Sequence, residues 1–288
     1  MNMGRAHWLY LAPALLLLGV FLVYPSVETI RLSFYGPRSE TFVGVQNYAR
    51  AFTSRPMVIA FRNNLLWLGV FTLFTVGMGL VLAVVLDRVR YEAVVKSIIF
   101  LPMAISYVAA GVIWRFVYAF RPAVAPQIGL LNAIVVGLGG QPIGWLIQRP
   151  WINNLALIVV GVWVWTGFCM VILSAAYKGI PKEMQEAARI DGANEWQVFR
   201  HVTIPFLKST LAVVTTTMIV FVLKVFDIVY MMTNGAYDTD VIANRMYNEM
   251  FQFNNYGMAS AIAVILFLAI IPFLVLNVRR FRVQEAVR

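Results

Sequence analysis

Glu186-Ala187-Ala188-Arg189-Ile190-Asp191-Gly192, followed ten residues later by Val202-Thr203-Ile204-Pro205, decides how this chain is read. It is a charged, helix-forming island in a sequence that is otherwise overwhelmingly apolar. Glu186, Ala187 and Ala188 favour helix, Gly192 loosens it, and Asn194 is placed to cap a second short helix running to His201. Pro205 then opens the next apolar stretch. A helix-break-helix between two membrane spans suits contact with a soluble partner.

The surroundings of that island are membrane-like. Of 288 residues, 61% are hydrophobic and 12% charged, about half the charge expected of a soluble domain. The runs are continuous rather than alternating, which disfavours a lipid-facing barrel. Six spans are expected, at 8–30, 64–87, 96–118, 153–177, 209–231 and 256–278, each long enough to cross a ~30 Å hydrocarbon core. The fold class is therefore all-α membrane protein with six transmembrane helices. Residues 8–24 resemble a signal peptide in length, but no small-x-small cleavage site follows the apolar run into Tyr24-Pro25, so a retained span is expected. The stretch 125–147 is apolar too. It carries Gly129, Gly137, Gly139, Gly140 and Pro142, and reads as a re-entrant or interfacial segment.

Lys and Arg placement sets the expected orientation. An internal N-terminus puts Arg5, Arg88, Arg90, Lys96, Lys178, Lys182, Arg189, Arg200, Lys208, Arg279, Arg280, Arg282 and Arg288 on the cytoplasmic side. N- and C-termini are then both cytoplasmic, as is the polar loop at 178–208. The net charge of +10 is explained by basic residues meeting anionic headgroups, with no nucleic acid implied. Cys169 is single and lies in the fourth span, so no disulfide framework exists. His7 and His201 are too far apart in topology to act together. No phosphate-binding Gly-x-x-x-x-Gly-Lys-Ser/Thr loop occurs, so if ATP drives this protein the ATPase is another polypeptide.

The spacing Glu-Ala-Ala, three residues, Gly, nine residues, then Ile-x-Leu-Pro resembles the signature loop of the inner-membrane permeases of binding-protein-dependent ABC importers. Val202 and Ile204 stand where that family often has Ile and Leu. Phe42-Val43-Gly44-Val45-Gln46-Asn47-Tyr48 is similar to the external Phe-x-Gly-x-x-Asn-Tyr segment of its sugar permeases. Asn63-Asn64-Leu65, Phe226-Asp227 and Tyr256-Gly257-Met258-Ala259-Ser260-Ala261 extend the resemblance over nearly the whole chain. Thr233-Asn234-Gly235-Ala236-Tyr237 departs from the common Thr-x-Gly-Gly-Pro. Together with Val241–Tyr247 it looks more like the α-glucoside branch.

The resemblance implies a type I, maltose-type importer permease in a bacterial or archaeal cytoplasmic (inner) membrane. It implies an N-terminal segment 1–63 and a core domain 64–288. Glu186, Ala187, Ala188, Asp191 and Gly192 become the coupling helices that seat in the ATPase. Implied partners are a second homologous permease (a heterodimer), two ABC ATPase subunits that bind ATP and Mg, an external solute-binding protein and membrane lipid. The solute is a sugar, an α-linked disaccharide or glucoside. No catalytic residue, cofactor or metal is expected in this chain. An ion-coupled secondary transporter or channel remains the alternative from another class, and an importer of glycerol phosphate or another polyol the nearer one.

Candidate path residues lie in two spans. Lys224 and Asp227 are three apart on one face of a continuous fifth helix, either as a structural ion pair or lining the path. Trp163 and Thr166 share a face of the fourth span, where an indole can stack on a pyranose or simply pack. Tyr230 follows one to two turns beyond Lys224 and Asp227, and Arg115 snorkels.

Overall fold

The computed structural model describes residues 3–286, with side chains for 10–273 and 275. The side chains of Arg5, His7, Arg279, Arg280 and Arg282, and Arg288 altogether, lie outside the described residues. Among the described residues, five helices are long and apolar enough to cross a membrane: Tyr10–Leu32, Arg55–Arg88, Ile152–Lys178, Glu195–Leu223 and Tyr256–Phe273. The pair Glu92–Ala104 and Tyr107–Val117 makes a sixth crossing when taken together. The 125–147 stretch holds only the eight-residue helix Leu130–Gly137, too short to cross. Its buried Asn132 ties the loop back through Ala119 O at 3.0 Å and Ile143 O at 2.9 Å.

Two expected spans differ from continuous helices. The third bends by 101°. Pro102 sits in a short 3-10 turn, Leu101–Ala104, and Ser106 restarts the helix by accepting from Ala109 N at 3.2 Å. A proline that lacks a donor, followed by a capping serine, is a local reason to break. The fifth span ends at Leu223, and a separate helix, Asp227–Met232, begins after Phe226.

Conversely, the second short helix of the polar loop does not stop at His201. Glu195–Val198 leads through a π-helical turn, Phe199–Thr203, directly into Ile204–Leu223. Widening the turn before Pro205 gives the ring room that a regular α-helix denies it. Gly19–Val23 widens in the same way ahead of Pro25.

The chain forms two compact units, residues 1–58 with 245–269, and residues 59–244 with 270–288. The first thus ends slightly before the expected 1–63 segment and adds part of the C-terminal region. Within it, the buried Asn47 donates to Ser33 O at 2.9 Å and Tyr35 O at 2.7 Å, while Tyr48 OH meets Ser33 Oγ at 2.6 Å. A Cβ at Gly257 would lie 1.9 Å from Tyr35 O, so only glycine fits. The Phe-x-Gly-x-x-Asn-Tyr and Tyr-Gly segments therefore hold one another. Within the second unit, Trp67, Phe71, Val160, Cys169, Met218 and Val222 form one buried cluster. Phe71 and Phe221 lie 5.5 Å apart and Trp165 and Phe221 4.5 Å, which joins the second, fourth and fifth spans.

Candidate functional site

The polar loop is built as two capped helices with a fully specified turn between them. Lys182–Ile190 carries Glu186, Ala187 and Ala188. Gly192 adopts φ +86°, the left-handed geometry that glycine tolerates and other residues resist. Gly192 N donates to Arg189 O at 3.1 Å and Ala193 N to Ala188 O at 3.0 Å, a Schellman ending that satisfies the last carbonyls. Asn194 then caps Glu195–Val198 reciprocally: Gln197 N donates to Asn194 Oδ1 at 2.9 Å, and Asn194 N to Gln197 Oε1 at 2.8 Å. Glu186, Ala187, Asp191 and Gly192 are exposed and Ala188 is half-buried. So are three large apolar side chains: Met184, Trp196 and above all Ile190, at 86% exposure. Apolar side chains held in water at the tip of a polar hairpin gain from being covered.

The hairpin is tied to the rest of its unit by charge. Glu195 Oε2 accepts from Arg88 at the end of the second span at 2.6 Å, and Glu195 Oε1 from Arg189 on the first hairpin helix at 2.8 Å. Those bonds, to Arg189 first and Arg88 second, pull the Glu195 carboxyl down to about 2. Glu195 in turn holds the Arg189 guanidinium more firmly charged. Beside it, Glu92 accepts from Lys178 at 2.9 Å and from Lys96, and Lys96 also reaches Ser174. Asp87, Glu92, Lys178, Glu186, Arg189 and Glu195 line an open cavity of about 720 Å³. Segment 88–95 thus supplies partners to the hairpin's surroundings. The Glu92/Lys96 spacing of four was the available sign, whereas the Arg88–Glu195 contact spans 107 residues and has no local signature.

The candidate path residues are redistributed. Lys224 closes Ile204–Leu223 as its C-terminal cap with φ −106° and ψ 13°, and Asp227 starts the next helix. They do not share a helical face, both are exposed, and no ion pair joins them among the described residues. Tyr230 stacks on Phe226, 5.0 Å between centroids. Trp163 meets Trp114 edge-on at 5.7 Å and lines apolar hollows. Thr166 is buried, its hydroxyl donating to Val162 O at 2.7 Å. Neither is brought to the break. Trp165, which points to another side of the fourth span, is the tryptophan that packs on Phe221 just before it.

Beyond the break, Asn234, Gly235, Tyr237 and Asp238 all take positive φ, from 48° to 78°. Three of the four are not glycine, so this loop is strained. Asn63 Nδ2 donates to Asp238 O at 2.8 Å and to Asp240 O at 2.8 Å, and Asn153 Nδ2 to Tyr237 O at 2.6 Å. Asn64 spans the break itself, donating to Val222 O at 3.3 Å and accepting from Ile242 N at 2.8 Å.

Apolar helices long enough to cross a membrane, one further pair bent between its halves, and a polar hairpin within the second unit fit a membrane transport permease subunit. Residues 75–284 match the family described as binding-protein-dependent transport system inner membrane component, and the chain belongs to that family. It is 59% identical over 280 residues to the osmoprotective compounds uptake permease protein GgtC of Synechocystis sp., covering 97% of this chain and 100% of that protein. It is 48% identical over 273 residues to the alpha-glucoside transport system permease protein AglF of Rhizobium meliloti, covering 94% and 81%. A crystal structure of a bacterial ABC transporter that imports the acidic polysaccharide alginate superposes with a TM-score of 0.81 at 24% identity, covering 99% of this chain and 98% of that one. That last likeness speaks to fold.

Proposed function

We propose that this chain is the permease subunit of an ATP-driven importer that carries an α-linked disaccharide or glucoside across a bacterial or archaeal inner membrane. A second homologous permease completes the pathway, an external solute-binding protein delivers the sugar, and two ATPase subunits bind ATP and Mg and hydrolyse the nucleotide. Both termini and the hairpin are cytoplasmic. Ile190, Met184 and Trp196 enter the ATPase surface, and Glu186, Ala187, Ala188, Asp191 and Gly192 keep the hairpin in the shape that fits it.

Sugar passes the break in the fifth span, where Lys224 and Asp227 offer hydroxyl partners and Tyr230 an aromatic edge. Trp163 and Thr166 act as packing residues.

The observation that carries this reading is the capped hairpin with its exposed apolar tip, in a chain belonging to this family. The 48% identity to an alpha-glucoside permease supports the solute class. The test is uptake of a labelled α-glucoside by vesicles holding the assembled complex and its binding protein. Uptake should require ATP and survive an ionophore; loss with the ionophore alone would establish ion-coupled transport instead. The 59% identical relative favours a second reading, in which the solute serves as an osmoprotectant. Salt-induced expression with solute accumulation distinguishes that role.

A further inference from the structure

At the end of the Ile152–Lys178 helix away from the hairpin, about 40 Å along its 27 residues at 1.5 Å each, two aromatic rings and two guanidiniums gather near Asp238. Trp151 and Tyr237 are each about half exposed, at 48% and 45%. Arg62 lies over the Trp151 ring at 5.2 Å and Arg149 over the Tyr237 ring at 5.8 Å. Asp238 joins the two pairs. Its carboxylate meets Arg149 at 3.3 Å, and its carbonyl accepts from Arg62 at 3.4 Å.

We propose that Trp151, Tyr237, Arg62, Arg149 and Asp238 form a receiving site for a neutral pyranoside at the mouth of the permease, occupied before the sugar reaches the interrupted helix. The proposal rests on the sugar-importer reading above and adds a second place where this chain touches the solute.

Pyranosides present apolar C–H faces and a rim of hydroxyls. Half-exposed rings match the faces, and the alternating guanidinium and carboxylate groups match the rim, since one donates and the other accepts. Asp238 offsets Arg149, and the pair offers a neutral sugar both a donor and an acceptor for its hydroxyls.

Strain is the second, independent observation. Tyr237 and Asp238 both hold left-handed backbone, at φ 56° and 61°, a conformation that a tyrosine adopts only under restraint. Asn63, Asn153, Asn154 and Arg62 all donate to the carbonyls of these two residues. A loop held out of its preferred geometry by four side chains is pre-organised, and pre-organised loops cluster where ligands are clamped. The same loop lies one short helix, Asp227–Met232, from the break that carries Lys224 and Asp227. Sugar held at the mouth therefore sits at the head of the segment lining the proposed path.

The test uses the assembled permease and ATPase complex in nanodiscs, without the external binding protein, and maltose as the probe in saturation-transfer-difference NMR. The wild type should transfer saturation to the ring protons. Trp151→Ala and Tyr237→Asn should each lower it about twofold to tenfold, the worth of one stacked ring, while Tyr237→Phe keeps it. Asparagine is chosen because it tolerates the left-handed backbone that Tyr237 occupies, and co-purification of the ATPase confirms that each variant assembles. No transfer in the wild type, or equal transfer in the ring-deleted variants, overturns the receiving site. ATP-driven uptake by the same wild-type complex with its binding protein separates the two ideas. Uptake with no mouth signal leaves the importer reading standing alone; neither uptake nor signal removes both.

Discussion

Arg88 Nη2 and Glu195 Oε2 lie 2.6 Å apart, so the end of the second span and the start of the second hairpin helix are joined by a charged hydrogen bond. Glu195 simultaneously holds Arg189, on the first hairpin helix. One carboxylate thus ties both helices of the hairpin to the end of a membrane helix. On the proposed function, motion imposed on the hairpin by an ATPase would reach the second span through this contact as well as through the fifth, into which the hairpin runs without interruption.

Reversing either charge should therefore loosen transmission. Arg88→Glu and Glu195→Arg are each expected to raise the ATP hydrolysed per solute transported, and the double variant to recover part of the wild-type ratio, because Glu195→Arg also takes the carboxylate away from Arg189. Uncoupling that the double exchange fails to lessen would show that the pair is incidental.

The acid response has a definite sign. The folded-state carboxyl of Glu195 titrates near 2, below the ~4.3 of a free glutamate. Its contribution to hairpin order is therefore complete above about pH 4.3 and fades as pH falls toward 2. Proteolytic cleavage between Lys182 and Arg200 should be constant from pH 8 to about 5, and Glu195→Gln should raise it across that whole range.

Gly192→Leu places a branched side chain where φ is +86°. Space is not the obstacle, because nothing lies within 4 Å of a Cβ there; the backbone is, at roughly 1–2 kcal/mol. The hairpin should splay, with loss of co-purifying ATPase or of coupled transport. Gly192→Asn should be much milder.

Labelling can check the orientation against a quiet background, because Cys169 is fully buried. Gln197→Cys is expected to react with an impermeant maleimide only from the cytoplasmic side, and Val124→Cys, at a position 97% exposed, only from outside. Reaction of Gln197→Cys from outside would rule out the hairpin as an ATPase dock.

For Lys224 and Asp227 the exposed, separated geometry removes the large penalty that breaking a buried pair carries. Lys224→Met and Asp227→Leu should each assemble at wild-type yield. Any transport defect should persist in the double variant, because neither side chain depends on the other. Poor assembly of both singles, repaired by combining them, would restore the ion-pair reading.

Much of this architecture is written locally. Hydropathy locates the crossings, Asn194 and Gln197 announce their capping box, and Gly192 marks the turn. What escapes a linear reading is set by distant partners. No proline or glycine lies between Phe221 and Met232, so nothing local marks the end of the fifth helix at Leu223; Asn64, 158 residues away, grips it there. Pro102 is the local sign of the bent third span, hidden within a continuously apolar run. The strained loop at 234–238 is equally non-local. Its geometry depends on Arg62 and Asn63, inside the Arg55–Leu66 helix, and on Asn153 and Asn154 at the start of Ile152–Lys178, which read singly as ordinary polar residues.

The interruption between Leu223 and Asp227 also constrains what may lie beside it. A helix that stops exposes its final carbonyls, and one that starts exposes its first amides. Here the carbonyls of Phe221 and Val222 are taken by Lys224 N at 3.0 Å and Val225 N at 3.1 Å, while the side chains of Lys224 and Asp227 stand open. Hydrocarbon cannot solvate bare peptide groups or charges, so irregular backbone at membrane depth is tolerated only against protein or water. Irregular, charged backbone of this kind at membrane depth would bar lipid from the flank and call for protein or water against it.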